Sequence, residues 1–300
     1  MDKVDLRIAY ILMVHKNPEQ ANMFIKQLLT DEQADLYLHI DKNSAGLMAG
    51  KLIEDPRIFR TSENVNVTWG DMSQVDAMAI LLREVVRSGK KYDFICYRSG
   101  QDMMVRKGYK EYLSGYKGKN FFDAEEIDID SEKAALFKVR YPKSTRKLYD
   151  TMHPYRILRM LLRKLYGMGI NLLPNNSEFS SQIKLYTGAT WFSISQELAE
   201  YMVDYLNRNS WFYNAFKESL APDRMFFNTL AMNSPFAGRI INQPHTYEYW
   251  GSTYKTSNHP VIFTTGNINE IEKTDFYFAR KFDISVDKNV IEYFMHKIIG

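Results

Sequence analysis

The feature that most constrains this chain is a series of short apolar runs in its first hundred residues, each stopping at polar residues. Ile8 to Val14 is almost continuously apolar and gives way to His15. Leu36 to Ile40 stops at Asp41, and Phe94 to Tyr97 leads to Ser99-Gly100-Gln101-Asp102. Runs this short and this uniformly apolar are the pattern of parallel strands buried on both faces. Arg57 to Phe59, after Pro56, reads as a shorter strand between them. Asn17-Pro18 opens a helix, with Asn at the cap and Pro in the first turn. Ala21, Phe24, Ile25 and Leu28 give that helix one apolar face. Ser73, with Asp76 three residues on, has the arrangement of a capping box for a second helix. The alternation predicts an α/β fold, a Rossmann-like, mostly parallel sheet flanked by helices. Right-handed crossovers bring the polar strand ends to one edge, where open α/β sheets bind ligands.

Beyond Lys117 the periodicity loosens. The stretch 123–130 is acidic, 138–147 is basic, and Pro142 and Pro154 interrupt the pattern. Residues 118–180 therefore read as an insertion made mostly of loop. Within it, 154–167 has helical spacing, with Ile157, Leu158, Leu161, Leu162 and Leu165 on one side. Arg156, Arg159, Arg163 and Lys164 surround that side with positive charge. Two readings stand: a helix packed on the sheet with a charged outer face, or a basic amphipathic helix in peripheral contact with a membrane. Order returns near Gly188, with a strand over 190–194, a helix over 196–206 and another opening at Pro222. Ile240-Ile241 reads as a short strand, and Val290, Ile291, Phe294 and Ile298 mark a final helix. With 300 residues and no repeat or clean linker, a single domain spanning 1–300 is expected.

Several functions lose ground on composition and motif. A net charge of +3 makes no case for nucleic acid. The one cysteine, Cys96, lies in an apolar run and reads as a buried thiol. No signal-peptide pattern and no bilayer-length apolar run is present, so a cytoplasmic protein is expected, with the inner membrane face as its other station. The absence of G-x-x-x-x-G-K-[ST], G-x-G-x-x-G and G-x-S-x-G argues against P-loop, dinucleotide and α/β-hydrolase sites.

The candidate chemistry sits at strand ends and helix starts. His15, His39 and Asp41 admit three readings: ligands of a divalent metal, a nucleotide contact through Asp41, or histidines satisfied by backbone groups. Asp128-Ile129-Asp130 has the spacing of a carboxylate pair that holds a metal on a diphosphate, but it stands in an acidic run where that spacing arises by chance. Asp223 lies in the first turn after Pro222, where a carboxylate is favoured and can serve as a general base. Arg280-Lys281 could neutralise a diphosphate leaving group. Tyr247, Tyr249 and Trp250 form an aromatic group able to stack on sugar rings or simply to pack.

Taken in order, these segments resemble the core-2/I-branching N-acetylglucosaminyltransferases and peptide O-xylosyltransferases, most closely bacterial relatives. The markers are 9–16, 39–42, 67–73, 99–102, 188–192, 222–229 and 278–283. The resemblance implies a GT-A-like fold and inverting transfer from a UDP-sugar, a GlcNAc or xylose donor, to a glycan or glycolipid hydroxyl, with no metal and no cofactor. It implies uridine held by Val14, His15 and Asp41, and the diphosphate by Lys281 with Arg280. Trp69, Glu126, Tyr247 and Tyr249 are then the expected acceptor side. Two positions depart from the family. Its glutamate base stands where this chain has Arg224, leaving Asp223 as the candidate base or the chain as a catalytically impaired binding protein. A basic residue expected soon after His259 is replaced by Pro260-Val261-Ile262.

Overall fold

The strand β1 (Ile8–Val14) is buried at all seven positions. Alternation sends Ala9, Ile11 and Met13 into one apolar cluster and Ile8, Tyr10, Leu12 and Val14 into another. A strand buried on both faces belongs in the middle of a sandwich. The computed structural model, which describes residues 4–175, 183–251 and 260–300, puts it there.

In chain order the other strands are β2 (Asp35–Ile40), β3 (Ile58–Arg60), β4 (Phe94–Ser99), β5 (Met103–Met104), β6 (Asn120–Phe122) and β7 (Glu125–Glu126). After these come β8 (Tyr186–Thr187), β9 (Ser193–Ile194), β10 (Ile240–Asn242), β11 (Thr246–Glu248) and β12 (Phe278–Arg280). The main sheet has seven strands in the order β10-β6-β9-β4-β1-β2-β3. All pairings are parallel except those of β9, which runs against β4 and β6. The cluster on one face draws on the helices Ser73–Arg87, Gln196–Arg208 and Phe226–Met232. The other face is covered by Pro18–Leu28 and Lys288–Ile299 and by a small sheet, β11-β12-β5. The expected α/β architecture of a mostly parallel sheet flanked by helices is observed.

From β1 the chain winds out through β2 to β3, then returns to place β4 on the other side of β1. That reversal opens a crevice at the carboxyl ends of β1 and β4. The approach there is close: a Cβ on Gly100 would lie 3.0 Å from Val14 Cγ1. Gln20, fully buried on the first helix, braces the crevice from behind. Its Nε2 donates to the carbonyls of Gly100 (3.2 Å) and Phe282 (3.0 Å), and its Oε1 accepts from the Ile284 amide at 2.9 Å. One side chain thereby ties the β4 loop to a segment that follows Gln20 by more than 260 positions.

Several local expectations change. Asn17 does occupy the cap position, with left-handed φ of 51°, but its amide donates to Asp283 instead of capping the helix. Ser73 is the first residue inside its helix, and its hydroxyl accepts from the Thr68 amide at 2.9 Å, so there is no capping box with Asp76. Asp76 instead accepts from the Tyr213 hydroxyl. Pro222–Arg224 is a 3-10 turn, and the α-helix begins after it at Phe226. The stretch 118–180 is not all insertion, because β6 pairs within the main sheet. Cys96 is buried as expected, and burial pushes its thiol pKa up.

Replacing Gln20 by Leu leaves the Gly100 carbonyl and the Ile284 amide unsatisfied in the interior, while the Phe282 carbonyl keeps a bond from Gln101 Nε2 at 3.4 Å. At roughly 1–3 kcal/mol for each such group, Q20L should lower stability by about 3 kcal/mol. Urea unfolding should show a lower midpoint with an unchanged slope.

Candidate functional site

The carboxyl ends of β1 and β2 bring Val14, His15 and Asp41 together, as the Asp41 amide donates to the Val14 carbonyl at 2.9 Å. Asp41 is buried, and its Oδ1 accepts from the amides of Asn43 (3.1 Å) and Val67 (3.0 Å). Its other oxygen has no hydrogen-bond donor among the described residues, which leaves it available to a ligand. His39 is a core histidine: fully buried, its Nε2 accepts from the Val65 amide at 3.1 Å, which fixes the 64–67 loop. Burial lowers its pKa to about 4. His15 is also lowered to about 4, by burial first and then by Lys16 and Lys281. Both rings are therefore neutral near pH 7. Among the described residues, no group of three or more His, Cys, Asp or Glu side chains is placed to hold a metal ion.

Lys281 is near enough to His15 to help depress its pKa, and burial brings its own down to about 8, helped by Arg280 and Lys16. The carboxylate behind it is Asp283. Burial alone would raise that carboxyl, but Lys16 and the Ser285 donors outweigh it and hold the pKa at about 2. Lys16 Nζ lies 2.5 Å from one oxygen, while Asn17 and Ser285 donate to the other.

Arg280 extends from β12, which pairs with β5 immediately after Asp102. Its guanidinium lies 4.0 Å over the Trp191 ring, and Trp191 is stacked in turn on Tyr97. Asp102 Oδ1 is 3.3 Å from Nη1, and Glu248 Oε1 is 3.5 Å from Nε. Neither contact has hydrogen-bond geometry, so Nε and Nη1 are buried donors without acceptors. Glu248 is itself occupied by the indoles of Trp191 (2.6 Å) and Trp250 (3.0 Å). Asp102, fully buried, has its pKa raised by desolvation, which Arg280 partly offsets.

Asp223 belongs to the same cluster. Its Oδ2 accepts from Thr190 Oγ1 at 3.1 Å, and its Oδ1 is a buried acceptor without a donor. Burial raises its pKa, against the pull of Arg224, Thr190 and Arg280. The neighbouring Arg224 points away. It is exposed, its Nε donates to the Gly188 carbonyl at 3.1 Å, and its guanidinium stands 5.7 Å from the Trp250 ring. The Gly188 amide returns a bond to the Arg224 carbonyl at 3.1 Å. Gly188 is obligatory: a Cβ there would sit 1.6 Å from the Asp123 carbonyl oxygen.

The remaining predicted residues lie around this cluster in different ways. Trp69 is half-buried beneath Arg159, whose guanidinium is 5.2 Å from its ring. Glu126 is exposed on β7 and paired with Lys184 at 3.0 Å. Tyr247 neighbours Glu248 on β11 but turns from it, stacking on Phe263 at 5.7 Å and donating to Glu270. It lies outside the Arg280–Asp223 cluster. Tyr249 is exposed. Asp128 and Asp130 occupy an exposed turn, with Asp128 accepting from the Asp130 amide. His259 falls outside the described residues. Trp191, Glu248 and Gly188 were not singled out as site residues from the sequence. The signal available for Gly188 and Trp191 was the 188–192 marker, which contains both.

Residues 8–277 match the family model described as Core-2/I-Branching enzyme. A xylosyltransferase of Ciona intestinalis is 23% identical over 98% of this chain and 34% of its own length. Xylosyltransferase 2 of Canis lupus familiaris is 24% identical over 97% of this chain and 34% of its own. The chain thus spans about a third of the length of these curated relatives. Among solved structures, mouse xyloside xylosyltransferase 1 aligns with a TM-score of 0.37 at 9% identity, covering 91% of this chain and 97% of that one. The WbbM bifunctional glycosyltransferase aligns with a TM-score of 0.40 at 11% identity, covering 93% and 46%. The chain belongs to the Core-2/I-branching enzyme family, a family of glycosyltransferases.

Gly188→Ala should be severe, because its obstacle is backbone rather than a movable side chain. We expect a destabilisation of about 3 kcal/mol or more, or loss of soluble protein, by thermal unfolding.

Proposed function

We propose that this member of the Core-2/I-branching family is an inverting glycosyltransferase that moves a sugar from a UDP-sugar to a hydroxyl of a glycan or lipid-linked acceptor, without a metal ion. One observation carries the reading: unpartnered buried donors on Arg280 and an unpartnered buried acceptor on Asp223 occur in a single cluster at the sheet's switch point. An anionic group and a hydroxyl are the chemical complements of that pair. The relatives' printed names make UDP-xylose the first donor to test.

In the proposed reaction Asp223 Oδ1 accepts the proton of the acceptor hydroxyl as its oxygen bonds to C1 of the sugar. The bond from C1 to the diphosphate oxygen breaks with inversion, and its electron pair leaves with UDP. A carboxylate raised by burial is a stronger base than one in water, and general-base help of this kind is worth roughly 10²–10⁴ in rate. Lys281 and Arg280 balance the charge that develops on the leaving diphosphate. Asp41 and Val14 lie where the uridine would sit, and neutral His15 can hydrogen bond there without adding charge.

A second reading is supported by Arg224, which occupies the position where the resemblance puts the glutamate base. On that reading the chain binds a nucleotide sugar but transfers poorly. Reverting Arg224→Glu separates the two: turnover only in the revertant favours the impaired binder, whereas wild-type turnover lost in Asp223→Asn favours the enzyme.

For the enzyme, Asp223→Asn should lower kcat by about 10²–10⁴ and leave the donor KM within a few-fold. UDP release should depend on acceptor and persist in EDTA; its complete loss in chelator would refute the metal-free step. Lys281 is charged below pH 8 and neutral above, so UDP affinity should fall as pH rises through about 8. In Lys281→Arg, titration calorimetry should find no inflection there, because a guanidinium stays charged.

A further inference from the structure

The helix Pro154–Gly167 is packed with Arg156, Arg159 and Leu162 inward and with Ile157, Leu158 and Leu161 outward. Arg156 and Arg159 are buried, whereas Leu158 and Leu161 are 36% and 50% exposed. Met152 and Met168, just beyond its ends, are 76% and 67% exposed, and Leu172 is 61% exposed. Of sixteen large apolar side chains exposed among the described residues, nine lie between 148 and 172. The inward arginines are engaged: Arg159 donates to the Lys147 carbonyl at 3.0 Å and covers Trp69, and Arg156 donates to Thr151. A concentrated apolar surface of this kind on a soluble domain marks an interaction site.

The charge around it selects the partner. Between 138 and 172 Asp150 is the only acidic residue, while Arg140, Lys143, Lys147 and Lys164 are exposed; Glu132, which packs against the C-terminal end of the helix, is ion-paired with Arg163 at 3.3 Å. We propose that this face docks the protein on an anionic lipid bilayer, with the helix lying in the interface. Ile157, Leu158 and Leu161 would enter the acyl boundary and the flanking cations would meet the headgroups. A second copy of the chain fits less well, because a two-fold contact would press the same basic rim against itself. The helix has 14 residues, about 21 Å, which is too short to span. No helix among the described residues is long and apolar enough to cross a membrane. The docking face also adjoins the site: Arg159 covers Trp69, and the next residue, Gly70, accepts from the Ala221 amide at 3.0 Å, two positions before Asp223. A lipid-linked acceptor would reach Asp223 across that loop; this step rests on the catalytic reading, whereas the docking does not.

The test is cosedimentation of the full chain with vesicles of phosphatidylcholine alone and of phosphatidylcholine with phosphatidylglycerol. We expect binding to the anionic vesicles that weakens with salt. Leu158→Glu/Leu161→Glu should reduce it by about tenfold or more, with thermal unfolding measured alongside to show that the variant is folded. Lys143→Ala/Lys147→Ala, which leaves the apolar face intact, should cost about fivefold for each cation removed at low salt. No binding to anionic vesicles, or equal binding by the Leu158→Glu/Leu161→Glu protein, would overturn the proposal. Self-association that the same double variant abolishes, in the absence of vesicle binding, would assign the face to a second copy instead. UDP binding measured alongside stays independent of all these variants, so failure of docking is distinguishable from failure of the catalytic reading.

Discussion

Two adjacent cations, Arg280 and Lys281, are held partly out of water, and the surrounding groups answer to that constraint. Like charges in a desolvated place repel, and the most labile one yields first. Lys281 yields, its pKa falling to about 8, while His15 stays neutral down to about 4. The cost is only partly offset by carboxylates. Asp102 and Glu248 approach Arg280 without completing hydrogen bonds, and Asp283 is occupied by Lys16, Asn17 and Ser285. A site whose buried cation keeps unsatisfied donors is poised for an anion. In linkage terms, Lys281 binds fewer protons when folded between pH 8 and its ordinary value of 10.5, so its burial destabilises the protein below pH 8 and the cost fades as pH rises through that window. Asp283 has the opposite sign: its contribution is complete above pH 4 and is lost as pH falls towards 2.

That arrangement persists because the scaffold is tied from several directions. Gln20 joins the first helix to both the Gly100 loop and the 282–284 segment, and Asn17 and Lys16 fasten Asp283. These contacts give the cations a fixed position relative to the ends of β1 and β4. The doubly wound core was legible in the sequence because burial on both faces leaves an uninterrupted apolar run, and β1, β2 and β4 appear where such runs lie. The bracing was not legible. Gln20 reads as a polar position on an amphipathic helix, and only the chain's return 262 residues later gives its amide something to hold. Trp191 and Glu248 escaped for the same reason, since each acquires its role from Arg280 in a distant strand.

The helix Pro154–Gly167 shows a different limit. Spacing put Ile157, Leu158, Leu161, Leu162 and Leu165 on one side, but the structure divides them: Leu162 is buried beside Arg156 and Arg159, and Ile157, Leu158 and Leu161 face outward. Here Arg159 packs over Trp69 and donates to the Lys147 carbonyl, so the guanidinium face turns inward. Long arginine stems can fill an interior surface while their heads hydrogen bond, which makes the inversion sustainable on the protein side. On the solvent side it leaves leucine and methionine uncovered.

The departure at Arg224 is resolved in part by the geometry of its turn. Residues 222–224 form a 3-10 turn, where neighbouring side chains diverge by about 120°. Asp223 takes the interior direction and Arg224 the exterior one, where Gly188 and Trp250 hold it. The arginine therefore does not fill the space in front of Asp223; it acts on Asp223 only as a charge that lowers its pKa. A glutamate at 224 would reverse that effect, setting a second carboxylate beside Asp223 and raising its pKa further. The substitution thus leaves a single carboxylate with a cation behind it, which opposes the rise that burial imposes on Asp223.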